Sequence, residues 1–223
     1  MYKYALFDFD GVIVNSEPIR LSTYQELFLD VYGSIVKIDK YSMIGKPESY
    51  NLTELLKKNN LSFDTETILN LKKKRQKILI RKASQGFPII DSVYEIIKTL
   101  KKIGVRLAIV TNSSYKYVIM ALRAIGLKKE DFLIVSGNDA SLPKPNPELY
   151  LRSIELLSCK NTEVLAFEDS PAGIQAAENA GIDVVVVSSS FEHLNSEFNY
   201  RLDCGVNSNQ VQRVTSLFGA IDA

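Results

Sequence analysis

The sequence predicts an α/β fold: a parallel sheet covered by helices, with an all-helical segment inserted near its start. Three observations lead there. Short apolar runs alternate with amphipathic helical patterns through most of the 223 residues, as βαβ units require. Carboxylates, a hydroxyl and a lysine recur just past the ends of those runs, where open α/β sheets bind ligands. Between the first two runs the alternation stops, and the chain turns polar, lysine-rich and helical in period.

The first run is Tyr4 to Phe7, and it ends in Asp8, Asp10 and Gly11. From about Ser16 to Ser84 no β run is convincing. Leu52, Leu55 and Leu56, then Ile68, Leu69 and Leu71, recur instead at helical spacing. This divides the chain into a core of residues 1–15 and 86–223 and a helical insertion of residues 16–85.

Next comes a helix carrying Val93, Ile96, Ile97, Leu100 and Ile103 on one stripe. Ser92 and Glu95 form a possible capping box at its start, and Gly104 ends it. Further strands are predicted at Leu107 to Val110, Leu133 to Val135, Val164 to Phe167 and Val184 to Val187. Asn146 with Pro147, and Ser170 with Pro171, each pair an N-cap residue with a proline at the first helical position. Gly126 and Gly181 close two more helices.

Composition bounds the function. At 46% hydrophobic and 24% charged the chain is an ordinary globular one. A net charge of +1 gives no electrostatic reason to expect a nucleic acid or an anionic membrane as partner. Cys159 and Cys204 are far apart and show no zinc or redox spacing. The opening MYKYALFDFD acquires carboxylates before any long apolar stretch, so no signal peptide is expected and a cytoplasmic location fits. The apolar run around Val184 to Val187 is far too short to span a bilayer. Oligomeric state is not written in the sequence; a monomer is the simplest expectation.

Asp8 and Asp10 lie two apart at a strand exit, so both carboxylates can face one crevice, and Gly11 allows the turn that leaves the sheet. An Asp-x-Asp pair alone is weak evidence. Its company strengthens it: Thr111 and Asn112 follow the second strand, Lys144 sits in LPKPNPELY, and Glu168 with Asp169 follows VLAF. A hydroxyl, a lysine and further carboxylates would supply positioning, charge neutralisation, a metal site and an acid, which phosphoryl transfer needs.

FDFDG, VTNSS, PKPNP and EDSPAGIQAAENAG resemble, in order and spacing, the four motifs of the haloacid dehalogenase superfamily, in the subfamily with a helical cap after the first motif. The match spans nearly the whole chain. It implies a Rossmann-like, three-layer α/β/α core with an inserted α-helical cap. It also implies that Asp8 attacks phosphorus to form an aspartyl phosphate, and that Asp10 protonates the leaving oxygen and later deprotonates water. The Ser16 hydroxyl is a possible partner for Asp10. Mg2+ is the implied cofactor, held by Asp8, the main-chain carbonyl of Asp10 and Asp169, with Glu168 in support. Thr111, Asn112 and the amides after them would hold phosphate oxygens, and Lys144 would neutralise charge between Asp8 and phosphate. An aspartate at position 10 favours phosphate esters, because only an ester oxygen needs that proton.

SMIGKPESY resembles the cap stretch that reaches over the site, which makes Gly45 and Lys46 candidates for substrate contact. Lys72 to Arg75 read as a wet helix face, and His193, the only histidine, as a surface residue. The expected activity is a Mg2+-dependent phosphatase acting on a small phosphorylated metabolite, with hinges near Ser16 and near Ser84 to Gly86. Two alternatives stay open. One is a phosphomutase resembling β-phosphoglucomutase, disfavoured by Arg20 where that enzyme carries histidine. The other is a non-catalytic binding protein, disfavoured because no motif residue is missing. Asn15, where many related phosphatases carry aspartate, departs from the finer subfamily pattern.

Overall fold

The structure is a computed structural model that describes residues 1–43, 48–188, 200–205 and 207–219. Gly45, Lys46 and His193 lie outside the described residues. The chain divides into two compact units, one of Met1–Asn15 with Phe87–Ala223 and one of Ser16–Gly86.

The first unit is built on a six-stranded sheet among the described residues: β1 (Tyr4–Phe7), β2 (Arg106–Val110), β3 (Phe132–Val135), β4 (Val164–Glu168), β5 (Asp183–Ser188) and β6 (Tyr200–Asp203). Their order is β3-β2-β1-β4-β5-β6, and every pairing is parallel. The five strands read from sequence are all present within a residue or two. β6 is an additional edge strand.

Successive residues of a strand face opposite sides of the sheet, so the near-continuous apolar runs fill two cores. Leu6, Ala108, Val110, Val164, Ala166, Val184 and Val186 pack with Leu149, Tyr150, Ile174 and Ala177 on one side. Those last four belong to helices α7 (Glu148–Leu157) and α8 (Pro171–Asn179). The alternate residues point the other way, where the rings of Phe7 and Phe167 stack 4.5 Å apart. Here α5 (Asp91–Lys102) packs against β2 and against α9 (Ser208–Thr215).

Two cap assignments need correction. Residue 90 takes the cap position of α5 and Ser92 lies inside the helix, with its buried hydroxyl unpartnered among the described residues. The Ser92–Glu95 capping box therefore does not form, because the helix begins one residue before the serine. Likewise Pro147 is the cap residue before α7, while the Asn146 side chain accepts the Glu148 N–H at 3.0 Å. Ser170 does cap α8, accepting the Gly173 N–H at 3.1 Å.

The second unit holds α1 (Glu17–Tyr32), α2 (Lys40–Met43), α3 (Glu48–Lys58) and α4 (Thr65–Ala83). Tyr24, Leu27, Phe28, Val36, Leu52, Leu55, Leu56, Leu71 and Ile78 form a core of its own. Arg75 corrects the reading of a wet lysine face. It is only 4% exposed, donates to Glu48 Oε1 at 2.7 Å and to the Arg20 carbonyl at 3.1 Å, and lies 3.9 Å over the Tyr24 ring. Its three lysine neighbours hid it, since a helix places every fourth residue of a charged run on the inner face.

The segments that leave and re-enter the first unit pair with each other. The Asn15 N–H donates to the Pro88 carbonyl at 2.8 Å and the Ile90 N–H to the Ile13 carbonyl at 3.0 Å. No described helix is long and apolar enough to cross a membrane.

Candidate active site

The carboxyl ends of β1, β2 and β4, the three central strands, deliver the charged residues to one place. Asp8 follows β1 directly, Thr111 follows β2, Glu168 ends β4 and Asp169 comes next. Lys144 arrives from the loop between β3 and α7. Its backbone N–H donates to Asn112 Oδ1 at 2.9 Å, which ties that loop to the end of β2.

The Lys144 ammonium is the hub. It donates to Asp8 Oδ1 at 2.7 Å, to Glu168 Oε1 at 2.6 Å and to the Val110 carbonyl at 2.6 Å, using all three of its protons. Tyr150, from α7, donates its hydroxyl to the same Glu168 oxygen at 2.5 Å and lies with its ring 5.0 Å from the ammonium. Nothing in the sequence pattern marks Tyr150 as other than core.

Charge and burial set the proton affinities. Burial alone would lower the Lys144 pKa; the facing carboxylates of Asp8 and Glu168 outweigh it and hold the ammonium above its ordinary value. Burial pushes Asp8 up to about 7 against the pull of Lys144, with the negative charges of Glu168 and Asp10 adding to the rise. Asp169 is raised well above the carboxylate range by burial, then by Asp8, Glu168 and Asp10. One lysine does not balance this many acids.

Asp8, Glu168 and Asp169 each offer a carboxylate oxygen, and these atoms lie within 4.8 Å of one another. Glu168 is fully buried, and its second oxygen, Oε2, has no hydrogen-bond partner among the described residues. An all-oxygen, excess-negative cluster with an unsatisfied buried oxygen fits a hard divalent cation such as Mg2+.

Two glycines make the cluster possible. A Cβ on Gly11, whose φ is +89°, would fall 1.8 Å from Asp169 Oδ2. A Cβ on Gly173 would fall 1.9 Å from Glu168 Oε2. Because Lys144 and Tyr150 hold Glu168, it cannot step aside cheaply. Gly173→Ala is therefore expected to destabilise the protein by about 1–3 kcal/mol; an unchanged urea midpoint would refute this packing account.

The Asp10 carboxylate accepts from two hydroxyls. Its Oδ2 accepts from the Ser113 hydroxyl at 2.5 Å and its Oδ1 from the Tyr117 hydroxyl at 2.7 Å. Tyr117 belongs to α6 (Tyr115–Ala124). Neither residue stood out in the sequence, although both lie in the segment that begins with VTNSS. Thr111 is 1% exposed, and its Oγ1 accepts the Ser113 N–H at 3.1 Å, which curls the loop after β2.

Residues 5–187 match the family model described as haloacid dehalogenase-like hydrolase. The Bacillus subtilis protein YhcW is 31% identical over 84% of each chain. The "phosphorylated carbohydrates phosphatase" of Thermotoga maritima is 30% identical over 80% of this chain and 81% of its own. Among solved structures, β-phosphoglucomutase from Clostridium difficile superposes with a TM-score of 0.75 at 22% identity, covering 97% of this chain and 98% of that one, a likeness of fold. A family match across most of the chain, together with the arrangement of Asp8, Lys144, Glu168 and Asp169, establishes that this protein belongs to the haloacid dehalogenase-like hydrolases.

Proposed function

We propose that the protein is a Mg2+-dependent phosphatase of small phosphorylated metabolites, sugar phosphates foremost, which works through an aspartyl phosphate on Asp8. The observation that carries this reading is the buried Lys144 ammonium that joins Asp8 to Glu168, beside Asp169 and at the end of the strand that leads to Asp10. The T. maritima relative, named for phosphorylated carbohydrates, supports the substrate class.

Asp8, Asp169 and the main-chain carbonyl of Asp10 would hold the metal, with Glu168 supporting it through Lys144. When bound, Mg2+ supplies positive charge that lets a carboxylate approach a phosphate dianion. The chain's own residues do the rest. Lys144 fixes the Asp8 carboxylate in orientation, and Thr111 with the amides that follow it receives the phosphate oxygens. Asn112 keeps Lys144 in register through its backbone. Asp8 attacks phosphorus while Asp10 gives a proton to the departing ester oxygen; Asp10 then takes a proton from the water that cleaves the aspartyl phosphate. The helical unit Ser16–Gly86 serves as a cap that excludes bulk water during transfer, and Gly45 and Lys46 contribute to substrate choice. The free thiols of Cys159 and Cys204 suit work in the reducing cytoplasm.

The test is phosphate release from a panel of sugar and nucleoside monophosphates, with Mg2+ and with EDTA. Metal-dependent turnover of at least one sugar phosphate is expected. Activity that persists in EDTA, or a panel with no turnover, contradicts the reading. With glucose 1-phosphate, conversion to the 6-phosphate without free phosphate would instead identify a phosphomutase.

A further inference from the structure

We infer that Tyr117 is a positioning residue for Asp10: it anchors Oδ1, leaving Oδ2 as the oxygen that exchanges the proton. The inference rests on the acid–base role proposed for Asp10 and adds which side chain aims it.

The two hydroxyls on Asp10 differ in freedom. Tyr117 is 2% exposed, and its ring meets Phe9 edge-on at 5.9 Å and Phe87 at 5.8 Å. A phenol oxygen lies in the plane of its ring, so a wedged ring fixes where that oxygen sits. Phe9 is the residue between the two aspartates, and Phe87 is the first residue of the re-entering chain. The Tyr117 oxygen is thus held by the same backbone segments that place Asp8 and Asp10. Ser113 instead carries its hydroxyl on a single rotatable bond, and that group can either donate to a carboxylate or accept from a carboxyl.

Anchored at Oδ1, Asp10 works through Oδ2. In the first half-reaction a bond forms between an Asp8 oxygen and phosphorus, the phosphorus–ester oxygen bond breaks, and the Oδ2 proton passes to that oxygen, so the product leaves as an alcohol. In the second, water oxygen bonds to phosphorus, the aspartyl–phosphorus bond breaks, and Oδ2 takes the proton that the water loses. Tyr117 keeps its own proton throughout. Without the anchor, Asp10 samples orientations in which Oδ2 misses the ester oxygen, a loss that matters only where the leaving group needs a proton.

Tyr117→Phe is tested by measuring kcat/KM with Mg2+ for phenyl phosphate, a poor leaving group, and 4-nitrophenyl phosphate, a good one. We expect a loss of about 10-fold or more on phenyl phosphate and no more than about 2-fold on 4-nitrophenyl phosphate, as for partial loss of general acid catalysis. Equal losses on both esters, or no loss on either, overturn the inference. Asp10→Asn is run alongside: if it lacks the same selectivity for the poor leaving group, the acid–base reading itself fails, and this inference with it. Should Tyr117→Phe not fold, Phe87→Leu, which keeps the hydroxyl and removes one wall of the wedge, is expected to give the same selective loss, and an unselective effect there overturns the inference.

Discussion

Asp8→Asn is expected to lower Mg2+-dependent phosphate release by roughly 10⁴-fold or more, the scale seen when a covalent nucleophile is removed. The fold should not suffer. The protein around Asp8 disfavours its ionised form, since burial and the neighbouring carboxylates raise its pKa to about 7 despite Lys144. The sign follows from that direction: a raised carboxyl pKa means that metal-free stability falls as pH climbs from the ordinary carboxylate range toward 7. A neutral amide of the same shape escapes this cost. At pH 8 without metal, the variant should melt no lower than the parent, with Glu168 still opposite Lys144. Retained turnover in pure Asp8→Asn protein would exclude Asp8 as nucleophile. A melting temperature several degrees lower would instead contradict the account of the site's electrostatics.

Lys144→Met should damage both activity and stability. It removes the only cation bonded to Asp8 and Glu168 among the described residues and leaves two buried carboxylates facing each other. Breaking a buried pair by deleting one partner costs about 3–5 kcal/mol, and, on the proposed function, losing the charge beside the phosphate costs roughly 10²–10³ in kcat. The two effects separate in the double variant Lys144→Met with Glu168→Gln. Neutralising Glu168 removes part of the repulsion, so the denaturation midpoint should recover in part, while kcat should not. Additive destabilisation in this cycle would show that Lys144 and Glu168 do not act as a unit.

The sheet was legible because its central strands are buried on both faces and therefore read as unbroken apolar runs, as in VLAF and VVVV. β6 escaped for the opposite reason. As an edge strand of sequence YRLD it buries only Leu202, and one buried residue in four makes no pattern. The charged half of the site was legible from chain order, because parallel strands deliver their carboxyl ends to one edge wherever the intervening sequence goes. The hydroxyls of Tyr117 and Tyr150 were not. Each sits on an amphipathic helix whose apolar face accounts for the ring, and nothing in a helical stripe says that the far end of a tyrosine reaches a carboxylate. Arg75 was hidden by its lysine neighbours, and Ser92 misled because a capping motif can occur one residue inside a helix instead of at its start.

The strand order carries a consequence for how the chain is made. Among the described strands β1 leaves the ribosome before the others, yet its neighbours are β2, about 100 residues later, and β4, some 160 residues later. The central strand must therefore wait unpaired until β2 has been made, and longer still for its second neighbour, β4. Ser16–Gly86, with a core drawn from its own residues, has no such wait. Assembly of the sheet is dominated by distant pairings and slow on that account, and the contact of Asp8 with Lys144 is itself a distant one. The carboxylate at the end of β1 thus joins that at the end of β4 only after β4 itself has been made.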